Sequence, residues 1–368
     1  MLVTKFAQKA GYIAETYEVV TQDGYILQLD RITGSKKSPS SDNKTAVLLL
    51  HGLLDASPTW LVAGPEKALG FILADEGYDV WMGNVRGNRY SRKHLNLTTL
   101  DPDYWMFSWH EMGIYDLPAI IDHIIEQIQQ KEIFMITHSQ GGTVFFVMAS
   151  ERPEYQEKII AAFTLAPAVF ISRTKSTLVQ VLLDLANNNY FITCSIGIYE
   201  FKPSDTPIQM ITKEICRDES PLQILCENYI FLMGGIDVEL NKTLLPLILQ
   251  YVPAGASVKQ FAHFGQVVQS SKFRKFDYGF VGNIEKYGKI QPPDYNLGNV
   301  TLPVYLHYGA NDVIIDVQNV QKLYEMLPNA QKFLVPSKTF AHADFVWGKH
   351  ANILVYNSIL RFMERHRK

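Results

Sequence analysis

The sequence has few cysteines, little net charge and no long hydrophobic segment. Its 368 residues carry a formal net charge of −3, and no basic segment of the kind that binds nucleic acid is present. No stretch of about 18 uninterrupted apolar residues occurs, so we expect no transmembrane segment. Residues 1–9 include two lysines but no apolar core, so they do not have the pattern of a signal peptide.

The composition is that of a globular protein with a large core. Hydrophobic residues make up 47% of the chain and charged residues 19%, which excludes a chain disordered throughout. Its three cysteines leave two alternatives open. Either all three are buried and reduced, or Cys216 and Cys226 form a disulfide that closes a short loop while Cys194 stays free.

Four Asn-x-Ser/Thr sequons are present, where chance predicts about two. This excess weakly favours a secretory route, in which N-glycans would be attached. The candidate glycosylation sites are Asn43, Asn96, Asn241 and Asn299.

Short apolar segments alternate with helical patterns along most of the chain. Such segments are typical of strands buried on both faces of a parallel sheet. The predicted strands are Ala46–Leu50, Tyr78–Met82, Ile133–Ile136, Ile160–Leu165, Val304–His307 and Lys332–Val335. The predicted helices include one between Gly113 and Gln130 and a last one from about Trp347 to Met363. This alternation predicts an α/β fold with a mostly parallel central sheet flanked by helices.

One region interrupts the alternation. From about Ser172 to Leu297, apolar helical segments follow one another without a clear buried strand. We interpret residues 171–298 as a helical cap inserted before the last core strands. Residues 1–170 and 299–368 then form the core. The alternative is an ordinary helical subdomain that does not control access to a site.

Ser139 is the candidate nucleophile. The strand ending at Ile136 leads into Thr137-His138-Ser139-Gln140-Gly141, after which a helix is predicted. This strand, turn and helix match the last four positions of the Gly-x-Ser-x-Gly elbow of α/β-hydrolases. Thr137 departs from the pattern, because the first position is normally glycine. The alternative interpretation is a serine that only caps the helix.

A serine nucleophile requires a base and an acid, which follow it in this fold in the order serine, acid, histidine. Asp312 and His342 each come after a predicted strand and in that order. Asp316 is a rival acid but is better suited to cap a helix beginning near Val317. Backbone N–H groups of Leu53 and Gln140 are the expected oxyanion donors. This chemistry requires no metal and no organic cofactor.

Several stretches resemble the acid lipase family, which includes gastric lipase, lysosomal acid lipase and many insect lipases. The stretches are Tyr17–Leu27, His51–Leu54 with Trp60, Asp79–Asn88, Phe107–Ala119, Gly309–Asp312 and His342–Gly348. The resemblance covers about residues 11 to 347 and implies the same triad, Ser139, Asp312 and His342. It also implies secretion or lysosomal delivery and a disulfide like Cys216–Cys226 within the cap. The missing signal peptide is then interpreted as truncation.

The expected function is that of a serine lipase that hydrolyses triacylglycerols or cholesteryl esters through an acyl-enzyme. Transient contact with a lipid-droplet or membrane interface through the cap follows from this expectation. Two alternatives remain at this point. The first is a lipid-binding or storage protein with impaired turnover, which Thr137 supports; the second is a carboxylesterase for small acyl esters.

Overall fold

The computed structural model describes residues 3–202, 240 and 242–367. Within them, the main sheet has nine strands in the order β1-β2-β4-β3-β6-β7-β10-β11, with β5 beside β2. The strands of the chain are β1 (Ile13–Val20), β2 (Tyr25–Gly34), β3 (Ala46–Leu50), β4 (Asp79–Gly83), β5 (Lys93–His94), β6 (Ile133–His138), β7 (Ile159–Leu165), β8 (Glu200–Phe201), β9 (Ala256–Ser257), β10 (Val304–Tyr308) and β11 (Ala330–Leu334).

The strands from β4 to β11 across the sheet are parallel, and β1 and β2 are antiparallel additions at one edge. All residues of β3, β4, β6 and β10 are buried, as the continuous apolar segments predict. The α/β-hydrolase fold expected from the sequence is therefore confirmed. Parallel pairing brings the carboxyl ends of β3, β6 and β10 to one edge of the sheet.

Helices cover the sheet and join its strands. They are α1 (Val3–Lys9), α2 (Leu69–Asp75), α3 (Trp109–Glu111), α4 (Leu117–Ile128), α5 (Gln140–Glu151), α6 (Thr177–Asn188), α7 (Tyr190–Ser195), α8 (Leu245–Ile248), α9 (Val258–Ser270), α10 (Gly279–Tyr287), α11 (Val317–Met326), α12 (Asp344–Trp347) and α13 (Asn357–His366). No helix among the described residues is long and apolar enough to cross a membrane.

One local prediction was wrong, and one predicted helix starts at a different residue. The segment ending at Val335 was expected to be buried on both faces, but β11 is an edge strand in which Leu334 is half exposed. An edge strand has a neighbour on one side only, and its outer residues meet solvent. The last predicted helix begins a few residues later than expected, because Gly348 has an extended backbone after α12, and it runs through a π-helical segment (Asn352–Tyr356) into α13.

Between β7 and β10 the described residues are mostly helical, as expected for the predicted cap. The exception is a short antiparallel pair, β8 with β9, which the sequence did not reveal. The division of the chain at residues 171 and 298 stays a prediction. Cys216, Cys226 and Asn241 lie outside the described residues. The described Cys194 is free, and Asn43, Asn96 and Asn299 are exposed.

Candidate active site

Ser139 lies at a sharp turn between β6 and α5. Its backbone angles are φ 52° and ψ −118°, a conformation that residues other than glycine rarely adopt. The Ser139 N–H donates to the Leu165 carbonyl at 2.9 Å, and the Ser139 carbonyl accepts from Gly142 at 2.9 Å. These bonds hold the strained backbone in place. The turn has the form of the predicted elbow, so Ser139 is not an ordinary helix cap: its side chain makes no capping hydrogen bond.

Small residues around the elbow are required by close packing. A Cβ atom at Gly141 would lie 2.5 Å from the Leu50 carbonyl oxygen, and one at Gly142 would lie 2.9 Å from Pro167 Cβ. Thr137 is fully buried at the position where the pattern has glycine. The Oγ1 atom of Thr137 lies 3.5 Å from the position of a Cβ atom added at Gly142, which is an ordinary contact distance. The elbow therefore accommodates threonine.

Asp312 and His342 form a buried hydrogen-bonded pair. His342 Nδ1 lies 2.8 Å from Asp312 Oδ2, and the two side chains follow β10 and β11 respectively. The other carboxylate oxygen, Oδ1, accepts from the N–H groups of Ile314 at 2.9 Å and Ile315 at 2.8 Å. Three hydrogen bonds thus fix the carboxylate. Because Nδ1–H donates to it, the Nε2 atom of neutral His342 is left as the basic nitrogen.

The rival acid has a different environment. Asp316 caps α11, since its Oδ1 accepts from the Gln318 N–H at 2.8 Å, and its other oxygen pairs with Lys175 at 2.8 Å. The Lys175 ammonium and the cap hydrogen bond lower the pKa of Asp316, although its partial burial opposes this. The structure joins Asp312, and not Asp316, to His342.

His138 lies behind His342. Its Nε2–H donates to the His342 carbonyl oxygen at 3.1 Å, and the two ring centroids are 4.9 Å apart. Burial, together with the neighbouring imidazoles of His342 and His51, lowers the pKa of His138 well below its usual value. A neutral His138 therefore supports the loop that carries His342.

The expected oxyanion loop follows β3 and approaches the elbow. A Cβ atom at Gly52 would lie only 3.1 Å from Ser139 Cβ. His51 supports this loop through two hydrogen bonds. Its Nδ1–H donates to the Gly52 carbonyl at 2.8 Å, and its Nε2 accepts from the Asn88 side chain at 3.1 Å. Burial lowers the pKa of His51 to about 4. Gln140 begins α5, where the first N–H groups have no partner within the helix.

Ser139, His342 and the loop at Gly52 line one cavity of about 480 Å³. The rest of its wall is largely apolar and comes from both the core and the predicted cap. Side chains from the predicted cap in this wall include Leu183, Ile198, Phe201, Leu249, Phe261 and Phe264. Such a cavity suits a hydrocarbon chain. In the part of the chain that the structure describes, no cluster of histidine, cysteine and acidic side chains could hold a metal ion.

Sequence reasoning missed Asp55, a carboxyl group in this apolar wall. Burial raises the pKa of Asp55 to about 7, although hydrogen bonds from Ala56 and Thr59 oppose the rise. The available signal was an acidic residue directly after His51-Gly52-Leu53-Leu54, within an apolar segment. That signal did not reveal burial, because acidic residues after a strand are common in turns.

Comparisons with known proteins identify the family and the fold. Residues 3–64 match the family described as a partial alpha/beta-hydrolase lipase region, and residues 45–191 match the alpha/beta hydrolase fold. Lipase 3 of Drosophila melanogaster is 46% identical over 97% of this chain and 91% of its own. The human gastric triacylglycerol lipase is 37% identical over 97% of this chain and 89% of its own.

A putative lipase from Sulfolobus solfataricus shares the fold, with a TM-score of 0.64 at 13% identity over 96% of this chain and 95% of its own. Relatives that are more than 30% identical cover nearly the whole chain, so the comparisons identify the family as well as the fold. The chain belongs to the acid lipase family of α/β-hydrolases, together with the gastric triacylglycerol lipases and the Drosophila lipases.

Proposed function

We propose that this protein is a lipase that hydrolyses carboxylic esters of lipids, triacylglycerols or cholesteryl esters, through an acyl-enzyme on Ser139. One observation carries the proposal. A strained serine and a histidine already bound to a buried aspartate line the same apolar cavity. The names of the relatives, which are lipases, support the same reaction class.

In the proposed reaction, Ser139 Oγ forms a bond to the ester carbonyl carbon while its proton passes to His342 Nε2. Backbone N–H groups of Leu53 and Gln140 donate to the oxyanion that develops. The intermediate collapses, and the leaving alkoxide takes the proton from His342 to depart as alcohol. Water then attacks the acyl carbon and gives a proton to His342. The second intermediate collapses with cleavage of the bond to Ser139 Oγ, which takes the proton back from His342 as the carboxylic acid is released. Asp312 keeps Nδ1 protonated and stabilises the imidazolium throughout.

The test combines a covalent probe with a substrate panel. We expect a fluorophosphonate probe to add one phosphonyl group to the wild-type protein, detected by intact mass, and none to Ser139→Ala. Ser150→Ala is the matched control, because Ser150 is a second buried serine, at the other end of α5. Labelling of Ser139→Ala, or ester turnover that survives this change, contradicts the assignment.

Residues 171–298 are proposed to act as a cap whose exposed apolar residues contact a lipid interface. In α7 and just after it, Phe191, Ile192 and Ile196 are 62%, 61% and 67% exposed. The same segment then enters the cavity wall with Ile198 and Phe201. It therefore joins an apolar surface to the apolar interior, as a substrate leaving a lipid phase requires.

Changing Phe191 and Ile196 together to serine is expected to lower activity on emulsified triolein at least tenfold and to spare soluble p-nitrophenyl butyrate. Ile13→Ser, an exposed apolar residue on β1, serves as the control. Equal activity of the double variant on the emulsion contradicts interfacial contact. Strong preference for the soluble ester in the wild-type protein would instead favour a small-ester carboxylesterase.

Delivery to a secretory or lysosomal compartment is part of the proposal. The exposure of Asn43, Asn96 and Asn299 supports it, because N-glycans are added to accessible sequons. Glycans at these residues and at Asn241, and a disulfide between Cys216 and Cys226, are the expected modifications. Peptide mapping of protein from its natural source, with and without deglycosylation and reduction, tests both.

A further inference from the structure

The turn that carries Leu53 is conformationally strained. The Asp55 N–H donates to the Gly52 carbonyl at 3.3 Å, closing a four-residue turn around Leu53 and Leu54. Leu54 has φ 63°, in the left-handed region that favours glycine. A leucine stays in this conformation only where surrounding contacts hold it. One such contact is the Ala254 N–H, which donates to the Leu54 carbonyl at 2.6 Å.

A second set of contacts starts at the Asp55 carboxyl group. Its Oδ1 accepts from the Ala56 N–H at 2.8 Å, and the Thr59 side chain lies beside the carboxyl, where it opposes the rise of the Asp55 pKa. Thr59 Oγ1 in turn accepts from Trp347 Nε1 at 2.9 Å. The Thr59 N–H donates to the Ala56 carbonyl at 3.1 Å, so Thr59 is also joined through the backbone to the residue that binds the Asp55 carboxyl. Asp55, Thr59 and Trp347 thus form a relay, in which Thr59 and Trp347 are 288 residues apart in the sequence.

The far end of the relay lies beside the base. Trp347 is the last residue of α12, and its N–H donates to the carbonyl of Ala343, the residue after His342, at 3.0 Å. One end of the relay therefore fixes the turn with Leu53 and the other end fixes the loop with His342. Both ends also line the cavity.

The burial of Asp55 costs stability, and no cation among the described residues offsets this cost. The side chain is 6% exposed, and no salt bridge joins it to lysine or arginine within residues 3–202, 240 and 242–367. An acidic group in an apolar wall without a cation is unfavourable for folding and is more common at functional sites than elsewhere. The hydrogen bond that it accepts from Ala56 and its contact with Thr59 are those that a role in positioning requires.

We propose that Asp55 is a positioning residue for ester hydrolysis, which through Thr59 and Trp347 keeps the turn that carries Leu53 aligned with the loop that carries His342. This inference rests on the proposed function. It assigns to Asp55 no contact with the reacting atoms. Its effect is on the relative position of the oxyanion donor and the base, where a displacement near 1 Å costs about 100-fold in rate.

The test uses Thr59→Val, which keeps the shape of the side chain and removes the hydroxyl in the middle of the relay. We expect kcat on p-nitrophenyl butyrate to fall roughly 10- to 100-fold, with KM changed less than about threefold, since the apolar wall is retained. Asp55→Asn combined with Thr59→Val should be no worse than the more severe of the two single variants, because all three break the same relay. Thr16→Val is the matched control: Thr16 Oγ1 donates to Asp30, another buried carboxyl group, at 2.8 Å, outside the cavity.

Hydrogen–deuterium exchange separates this inference from the proposed function, since it requires no turnover. Thr59→Val should accelerate exchange in both residues 51–56 and residues 341–350, and Thr16→Val in neither. If the wild-type protein hydrolyses no ester but both segments respond, the lipase proposal fails while the relay stands. If kcat and exchange in both segments are unchanged in Thr59→Val, or if the effects of Asp55→Asn and Thr59→Val simply add, the positioning role is wrong.

Discussion

Replacing Asp55 by asparagine is expected to change how the stability of the protein depends on pH. Asparagine has nearly the same shape and can still accept from the Ala56 N–H, but it does not titrate. In the folded protein burial raises the pKa of Asp55 from 3.8 to about 7. A raised acid pKa means that the folded state binds the proton more tightly than the unfolded chain does.

The direction in which the free energy of unfolding changes with pH follows from this difference in proton affinity. Below about pH 4 the carboxyl is protonated in both states, and its contribution to the free energy of unfolding is fully present. As the pH rises, the unfolded chain loses the proton first. This contribution therefore decreases steadily and is fully lost once the pH passes about 7. At 1.36 kcal/mol per pH unit, a rise from 3.8 to about 7 corresponds to about 4 kcal/mol. Full burial means that solvent screening does not reduce this value much.

Urea unfolding of the wild type and of Asp55→Asn at intervals from pH 4.5 to pH 8.5 measures the effect. The unfolding free energy of the variant, minus that of the wild type, should rise across this range by most of the 4 kcal/mol. Asp75→Asn is the control, because a hydrogen bond from Ser35 and the Lys37 ammonium lower the pKa of Asp75 against its partial burial. Its contribution is present above pH 3.8 and lost only at lower pH, so its curve should parallel the wild type. Parallel curves for Asp55→Asn would refute the argument.

Three further changes test the core around the site. Gly141→Ala brings a Cβ atom to 2.5 Å from the Leu50 carbonyl oxygen, so we expect kcat to fall about 100-fold or more in steady-state assays of protein that remains folded. Asp116→Asn leaves the fully buried Arg86 with Asp23 as its remaining carboxylate partner and should lower the free energy of urea unfolding by about 3 kcal/mol. Thr164→Val removes a buried hydroxyl that has no hydrogen-bond partner among the described residues, and should raise stability by about 1 kcal/mol in the same assay.

Most of the fold could be predicted from the sequence because its signals are local. Buried parallel strands appear as continuous apolar segments, and the elbow at Ser139 lies where one of them meets a helix. Chain order then brought Asp312 and His342 to the same edge of the sheet, and the structure joins them at 2.8 Å. The edge position of β11 is not local: its apolar residues are similar to those of a central strand, and only the topology shows that one side has no neighbouring strand among the described residues.

The contacts of Thr137 and Asp55 could not be predicted for a related reason. Whether threonine fits at the elbow depends on the space beside Gly142, which Pro167 and the packing of α5 against β6 determine. Asp55 lies in a cavity wall that is completed by Trp347, from near the other end of the chain, and Trp347 is hydrogen-bonded to Thr59. The sequence pattern cannot show such contacts, because each partner alone is compatible with an ordinary turn or helix end.

The oxyanion loop combines two buried groups with opposite pH dependence. His51, with its pKa lowered to about 4, contributes stability that is present above its unfolded value of 6.5 and is lost as the pH falls through 4. Asp55 behaves in the opposite way, with its contribution lost as the pH rises through about 7. The neighbour His138 is also held neutral. Between about pH 4 and pH 7 the folded loop therefore carries no buried charge at His51 or Asp55. Protonated His51 would direct a proton at the Asn88 amide, and ionised Asp55 would leave a carboxylate in the apolar wall. Between about pH 4 and pH 6.5 the two contributions change in opposite directions at the same rate. The loop that presents the Leu53 N–H therefore keeps both groups uncharged at a stability that is nearly independent of pH.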